Sequence, residues 1–279
     1  MRCFSFLLFL CLGGNCFCAD MPVLSLANVA HRGASFVAPE NTLSSYRAAV
    51  EAGANGAECD VYKTADNVLV LSHDKSTART TIGGNLDITK SNFEDLQKLD
   101  AGSKKNKKFA GEKIPTLDQY LKLLKNTDCH PVIEIKMEQI EQLVLDAVRD
   151  NGLLDKSVII SFSEKTVKEL RRLDGGVCAA WLYGENLAGK GNAEKNADRL
   201  AEFLTKKSKE LDTNILDLQH NILSKNLIDK LKKSNIHVWC WTVNDAKRMK
   251  ELLDWGVESI TTDRPELLSE VLKEHKKEK

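Results

Sequence analysis

No excess of either charge marks this 279-residue chain: 40 Lys and Arg stand against 40 Asp and Glu. The basic footprint of a nucleic-acid-binding protein is therefore missing, and so is any polyanionic tail. Proline is scarce at five and glycine numbers 16, which excludes collagen-like repeats, low complexity and wholesale disorder. There is no GxGxxG and no Walker-type phosphate loop, so nothing signals a nucleotide-binding open sheet. No CxxC pair stands outside the first 19 residues, which leaves a zinc or redox cluster without support. What remains is 42% hydrophobic and 29% charged, the balance of a soluble globular protein with a sizeable core.

The N-terminus differs from the rest. Met1 and Arg2 precede an apolar run from Cys3 to Leu12, then Gly13, Gly14 and small residues to Ala19. A basic start, about ten apolar residues and small residues near a break match a secretory signal peptide. The run is too short to span a bilayer comfortably, although a retained anchor is the alternative. Asn15 and Phe17 precede Cys16 and Cys18, where a lipobox would want Gly or Ala. The expectation is a leader over residues 1–19, an exported protein (periplasmic or extracellular) starting near Ala19 or Asp20, and no stable membrane anchor afterwards. The leader carries only one charged residue, Arg2, so near-neutrality persists and gives no steering toward anionic membranes. Four cysteines leave with it. Cys59, Cys129, Cys178 and Cys240 remain, too widely spaced for a disulfide framework, and are expected as structural thiols.

From residue 28 onward, short β-branched runs alternate with amphipathic stretches. Strands are expected at 28–31, 56–62, 131–136, 157–162, 177–182, 214–219, 236–241 and 257–262, with helices near 42–53, 116–126, 138–151, 164–173, 194–211, 224–234, 244–254 and 265–277. Asn244 and Asp263 stand where helix N-caps are expected, and Gly53, Gly152 and Gly256 where helices should stop. Eight strand–helix units predict a (β/α)8 TIM barrel rather than a doubly wound sheet. An extra strand at 68–72 follows residues 56–62 across a four-residue turn. That gap is too short for a parallel crossover, so the pair should be an antiparallel hairpin that returns His73 to the barrel mouth. Residues 74–115 then form an insertion long enough to make a small cap. Its run of Lys104, Lys105, Lys107 and Lys108 reads as a solvated turn.

Barrel enzymes place their chemistry at the carboxyl ends of the strands. Here those ends hold His31-Arg32-Gly33, Glu58 and Asp60 two residues apart on one face, His73-Asp74, Glu134 with Lys136, and Trp239 with Trp241. Taken singly, a carboxylate on a strand is usually a satisfied rim charge and a lone His a packing residue. Convergence changes the reading, because Glu58, Asp60 and Glu134 in one lumen would repel one another without a cation. An all-oxygen set suits Mg²⁺ or Ca²⁺ better than zinc. His31 and His73 could then supply a general base and a general acid. Arg32 and Lys136 would face phosphate oxygens, the first as a fork and the second as a point charge. Together they ask for a phosphoester.

In order and spacing, His31-Arg32-Gly33, Ala38-Pro39-Glu40-Asn41-Thr42, Glu58-Cys59-Asp60-Val61 and His73-Asp74 resemble the glycerophosphodiester phosphodiesterase family. So do Ala78-Arg79-Thr80-Thr81, Ile114-Pro115-Thr116-Leu117, Ile133-Glu134-Ile135-Lys136, Trp241-Thr242-Val243-Asn244 and Thr262-Asp263-Arg264-Pro265. No single tripeptide is specific, but the ordered set is, and it covers about residues 29–268. The resemblance implies a barrel with a small insertion after its second strand and hydrolysis of a small-molecule glycerophosphodiester to an alcohol and sn-glycerol 3-phosphate. It implies one divalent cation, Ca²⁺ or Mg²⁺, on Glu58, Asp60 and Glu134, and His31 and His73 as the acid/base pair; His31 is taken first as the base, with the order between the two left open by the sequence. Arg32 and Lys136 become phosphate contacts and Trp241 a wall for the glycerol or alcohol group. Residues 39–42 would buttress the site, with Thr42 or Asn41 as N-cap and Glu40 not a ligand. Three rivals stand beside this: a same-fold enzyme releasing head groups from lysophospholipids or sphingolipids, a Schiff-base lyase using Lys136, and a secreted module with a dead site.

Overall fold

The computed structural model describes residues 26–188 and 190–278. The leader expected over 1–19 lies outside them. Nine strands form one sheet: β1 (Asn28–Ala30), β2 (Gly56–Lys63), β3 (Leu69–Leu71), β4 (His130–Ile135), β5 (Val158–Ser161), β6 (Cys178–Tyr183), β7 (Ile215–Gln219), β8 (His237–Trp241) and β9 (Ser259–Thr262). Eight of them are parallel, in the order β1-β9-β8-β7-β6-β5-β4-β2, and β1 pairs with β2 to close the barrel. The helices are α1 (Leu43–Glu51), α2 (Phe93–Gln97), α3 (Leu117–Leu124), α4 (Glu141–Asp150), α5 (Glu164–Leu173), α6 (Ala197–Leu211), α7 (Lys225–Lys233), α8 (Ala246–Asp254) and α9 (Pro265–Lys277). This is the (β/α)8 barrel expected from the alternation. Among the described residues no helix is long and apolar enough to cross a membrane.

Strand alternation divides the core in two. Val29, Val132, Val158, Cys178, Ala180, Ile215 and Trp239 fill the barrel interior. Their neighbours face the helices: Cys59 and Ile133 pack with Tyr46 of α1 and Tyr120 of α3, and Leu216, Leu218 and Cys240 pack with α7 and α8. Because the side-chain period of a strand is two, the same register that turns Cys59 outward turns Glu58 and Asp60 inward. The four cysteines of the described residues are free and buried, as structural thiols should be.

The hairpin forms as expected. β3 runs antiparallel to β2 with Val61 opposite Leu71 and Lys63 opposite Leu69, and Thr64 closes the turn by accepting from the Val68 amide at 2.9 Å. Beyond it, residues 74–115 gather around a small apolar cluster in which Ile88, Leu96, Leu99, Ala101 and Ile114 pack on Val70 of β3. Lys105 reaches from this segment to the Ser35 carbonyl at 2.7 Å; the lysine run is otherwise exposed.

Helix ends mostly follow the sequence signals. Thr42 caps α1 in a reciprocal capping box with Ser45, and Gly53, Gly152 and Gly256 adopt positive φ just past α1, α4 and α8. Two expected caps are corrected. Asp245, not Asn244, caps α8 by accepting from the Arg248 amide. Asp263 does not cap α9 either: the N-cap is Arg264, whose side chain makes no capping bond, and Pro265 opens the helix. Pro lacks the amide that a cap would satisfy there, and both displaced side chains are engaged at the barrel mouth.

Candidate active site

The loop after β1 turns sharply to bring α1 across the barrel mouth. Arg32 and Gly33 both take positive φ, 57° and 78°. A Cβ on Gly33 would lie 2.4 Å from Ser45 Oγ and 2.6 Å from the Ser45 carbonyl carbon, so only glycine lets the start of α1 approach this closely. The turn aims the Arg32 amide at Glu58 Oε2, 2.8 Å away. Asn41, also at positive φ, sends its side-chain amide to Asp60 Oδ2 at 2.8 Å and accepts from the Asp60 amide and the Tyr46 hydroxyl.

Glu58, Asp60 and Glu134 converge inside the barrel. One carboxylate oxygen from each lies within 4.8 Å of the others, because β2 and β4 pair in register with Asp60 opposite Glu134. Glu58 Oε1 is buried without a hydrogen-bond partner, and Asp60 Oδ1, equally buried, has only an ion pair with Lys136. Burial and the Asp60 charge push Glu58 well up, and burial followed by Asp60 pushes Glu134 up to about 7. Against its own burial, Asp60 is held below the usual carboxylate range by Lys136 and Arg32. Lys136 Nζ lies 2.8 Å from Glu134 and 3.2 Å from Asp60, and Arg32 Nε lies 3.2 Å from Asp60. Buried carboxylates that converge and repel one another are what a hard divalent cation resolves, so these residues fit such an ion.

Both histidines are held through Nδ1. His31 Nδ1 is 2.6 Å from Asp263 Oδ1 and His73 Nδ1 is 2.7 Å from Asp74 Oδ1. Asp263 also accepts from the Ser35 hydroxyl at 2.9 Å and from the Asn244 amide at 2.6 Å. Burial works against its ionisation, but the His31 bond and these donors hold its pKa down at about 2. Asp74 in turn accepts from Arg79 Nε at 2.5 Å, the Arg79 fork grips Glu40 at 2.6 and 2.8 Å, and Glu40 pairs with Arg32 at 2.9 Å. Glu40 is thus a bridge between insertion and barrel, and it is not among the acids whose oxygens converge. Burial of the His73 ring lowers its pKa, partly offset by Asp60.

A cavity of about 140 Å³ opens above the carboxylates. Six of the eight residues singled out from sequence line it: His31, Arg32, Glu58, His73, Glu134 and Trp241. Asp60 stands behind them, 1% exposed, while Lys136 borders an adjoining hollow with Glu134 and Phe162. Ile160, Phe162 and Leu182 make an apolar wall. The Trp241 ring meets Phe162 edge to face at 5.4 Å, and its indole N–H donates to the Asp217 carbonyl at 3.0 Å. Lys136 is a poor candidate for Schiff-base chemistry: burial works to lower its pKa, but Asp60 and Glu134 raise it to about 12, so the amine stays protonated.

Three groups were not found from sequence. Asp263 and Asn244 carried a local signal, a cap position, that pointed elsewhere. Asp217 sits in a run that reads as an ordinary strand, yet it is 1% exposed and lines the cavity.

Comparison with known proteins agrees with this geometry. The sequence profile described as the glycerophosphoryl diester phosphodiesterase family matches residues 31–267. The chain is 31% identical over 245 residues to a glycerophosphodiester phosphodiesterase of Caldanaerobacter subterraneus, covering 86% of this chain and 95% of that protein. Among solved structures, a glycerophosphodiester phosphodiesterase from Parabacteroides distasonis superposes with a TM-score of 0.71 at 30% identity, covering 91% of this chain and 98% of that one. An Oleispira antarctica phosphodiesterase, solved with the product sn-glycerol-3-phosphate, shares the fold with a TM-score of 0.79 at 23% identity, covering 88% and 96%. The profile match across the barrel, joined to these relatives and to the site just described, shows that the chain belongs to the glycerophosphoryl diester phosphodiesterase family.

Proposed function

We propose that the protein hydrolyses glycerophosphodiesters to an alcohol and sn-glycerol 3-phosphate, using one divalent cation, Ca²⁺ or Mg²⁺, and His31 and His73 as its acid/base pair. The observation that carries this is the meeting of two carboxylate-anchored histidines and three converging buried carboxylates at a single cavity. Glu58, Asp60 and Glu134 would hold the cation, which supplies positive charge for a non-bridging phosphate oxygen. Arg32 and Lys136 add cationic charge beside the phosphate, and Trp241 walls the glycerol or alcohol group.

Proton transfer falls to the histidines. A ring whose Nδ1–H is fixed on a carboxylate presents Nε2 to the cavity, and the carboxylate stabilises the imidazolium when it forms. Burial favours the neutral form of His73, which accepts a proton from the attacking water, or from the neighbouring glycerol hydroxyl in a route whose cyclic phosphate a water then opens to sn-glycerol 3-phosphate. His31, held as the imidazolium against the ionised Asp263, gives its own proton to the leaving oxygen, and the proton taken up by His73 balances it. This reverses the order taken first from the sequence.

One observation favours a second reading, a lipid substrate. Phe36, Val37 and Phe162 are large apolar side chains left 57%, 47% and 49% exposed, and Phe162 lines the cavity. Phosphorus NMR of products from glycerophosphocholine and from lysophosphatidylcholine separates the two. Glycerol 3-phosphate from the first supports the proposal; turnover of the lysolipid alone replaces it.

Residues 1–19 are proposed as a cleaved leader, with the protein acting outside the cytoplasm. N-terminal sequencing of protein recovered from the export compartment tests this, with Ala19 or Asp20 expected first and Met1 contradicting it.

A further inference from the structure

We infer that Asp217 reads a hydroxyl group of the substrate, as a specificity-determining residue set apart from the metal and proton chemistry. The inference rests on the reading of the cavity as a glycerophosphodiester site and assigns one contact within it. Asp217 lies on β7, opposite Leu182 of β6 and Trp239 of β8. It is 1% exposed, and its side chain lines the cavity with His31, His73 and Glu134.

Its Oδ1 is buried with no hydrogen-bond partner. The three acids across the barrel are each supported: Glu58 accepts from the Arg32 amide, Asp60 from Asn41 and Glu134 from Lys136. Among the described residues nothing equivalent serves Asp217. The nearby indole N–H of Trp241 is spent on its backbone carbonyl instead. Leu182, its partner on β6, offers no polar atom in its side chain, and no hydrogen bond joins Asp217 Oδ1 to Trp239, its partner on β8. A buried carboxyl left unpaired is among the costlier features a fold can carry, and such a group in a cavity is a place where a ligand atom completes the bonding. Asp217 is not among the acids whose oxygens converge for a cation.

The chemistry of the group selects the ligand. Burial, then the Glu134 charge, raise Asp217 to about 8, and in its protonated form the carboxyl has one O–H to give and one oxygen to accept. That pairing matches an alcohol, which also gives and accepts one bond, and it is a weak counter-ion for a cationic head group. A glycerol moiety brings such hydroxyls next to the phosphate.

The test uses the metal-loaded protein, the Asp217→Ala and Asp217→Asn variants, and two ligands: sn-glycerol 3-phosphate and propyl phosphate, which lacks both hydroxyls. Calorimetry measures binding, and steady-state kinetics compare glycerophosphocholine with the propyl phosphodiester of choline. For Asp217→Ala we expect about a tenfold or greater loss confined to the glycerol compounds, with the propyl compounds little changed. Asp217→Asn, which keeps a donor and an acceptor in the same volume, should recover most of the loss and guards against a folding defect in the alanine variant. Equal losses on both ligand types, no loss, or a loss that follows the choline group overturns the assignment. Wild-type protein that binds neither phosphate and cleaves no glycerophosphodiester overturns the functional reading itself.

Discussion

His31 Nδ1 and Asp263 Oδ1 stand 2.6 Å apart although 232 residues separate them in the chain. The contact joins the end of β1 to the loop after β9, strands that pair to close the barrel, so closing the barrel also aims a histidine. Asp263 is itself fixed by Ser35 and Asn244, which leaves it little freedom to turn away.

Replacing Asp263 by Ala should therefore lower kcat by about 10- to 100-fold, the range for losing an outer partner of a functional histidine. KM should change little, because Asp263 does not line the cavity. Steady-state kinetics check this; an unchanged kcat would show that His31 needs no orienting partner.

The acid limb of the pH profile follows from His73. As base it must be neutral, and burial lowers its pKa below the usual imidazole value of about 6.5. Activity should hold as pH falls to that value and disappear only beneath it, through the lowered pKa. A kcat/KM profile whose acid limb lies above about 6.5 would contradict the assignment.

Cation binding should appear as stability. An ion that binds only the folded state stabilises by RT ln(1 + [L]/Kd), about 2.7 kcal/mol at a hundredfold excess over Kd. Thermal unfolding of wild-type protein should shift upward with added Ca²⁺ or Mg²⁺, and the shift should vanish in Glu58→Gln. In the absence of metal that variant should be no less stable than wild type, because it removes one of three buried carboxylates that repel one another. Equal metal-induced shifts in both proteins would remove Glu58 from the ligand set.

Much of this was legible in sequence because it is local. The strand–helix alternation, the hairpin forced by a four-residue turn, and the i, i+2 placement of Glu58 and Asp60 depend only on neighbours in the chain. Asn244 and Asp263 show where such reading fails. Each occupies a helix-start position that suits a cap, and only the closed barrel shows that they meet over Thr262, whose hydroxyl donates to Asn244 at 3.0 Å. Asp217 is a subtler case. One acid in an apolar strand gives no hint of its partners, and here the informative fact is that its carboxyl Oδ1 has none. The link from Arg79 through Glu40 to Arg32 was invisible for the same reason, since ion pairs across an insertion leave no periodic trace.

The cysteines offer a check on both packing and processing. Burial pushes the Cys129 and Cys178 thiols up to about 12, and those of Cys59 and Cys240 are well above the ordinary range. The thiolate is the reactive form, so folded mature protein should be inert to Ellman's reagent at pH 8. After denaturation it should titrate four thiols, whereas a chain that retains the leader would titrate eight. Rapid labelling of the folded mature protein would contradict the buried placement.

The most direct measurement is release of sn-glycerol 3-phosphate from glycerophosphocholine by purified protein, after chelation and again with Ca²⁺ or Mg²⁺ restored. The account predicts turnover that returns with metal and is lost in His73→Ala and in Glu58→Gln. Turnover that survives chelation and both substitutions would contradict it, as would a folded, metal-loaded protein that releases no glycerol 3-phosphate.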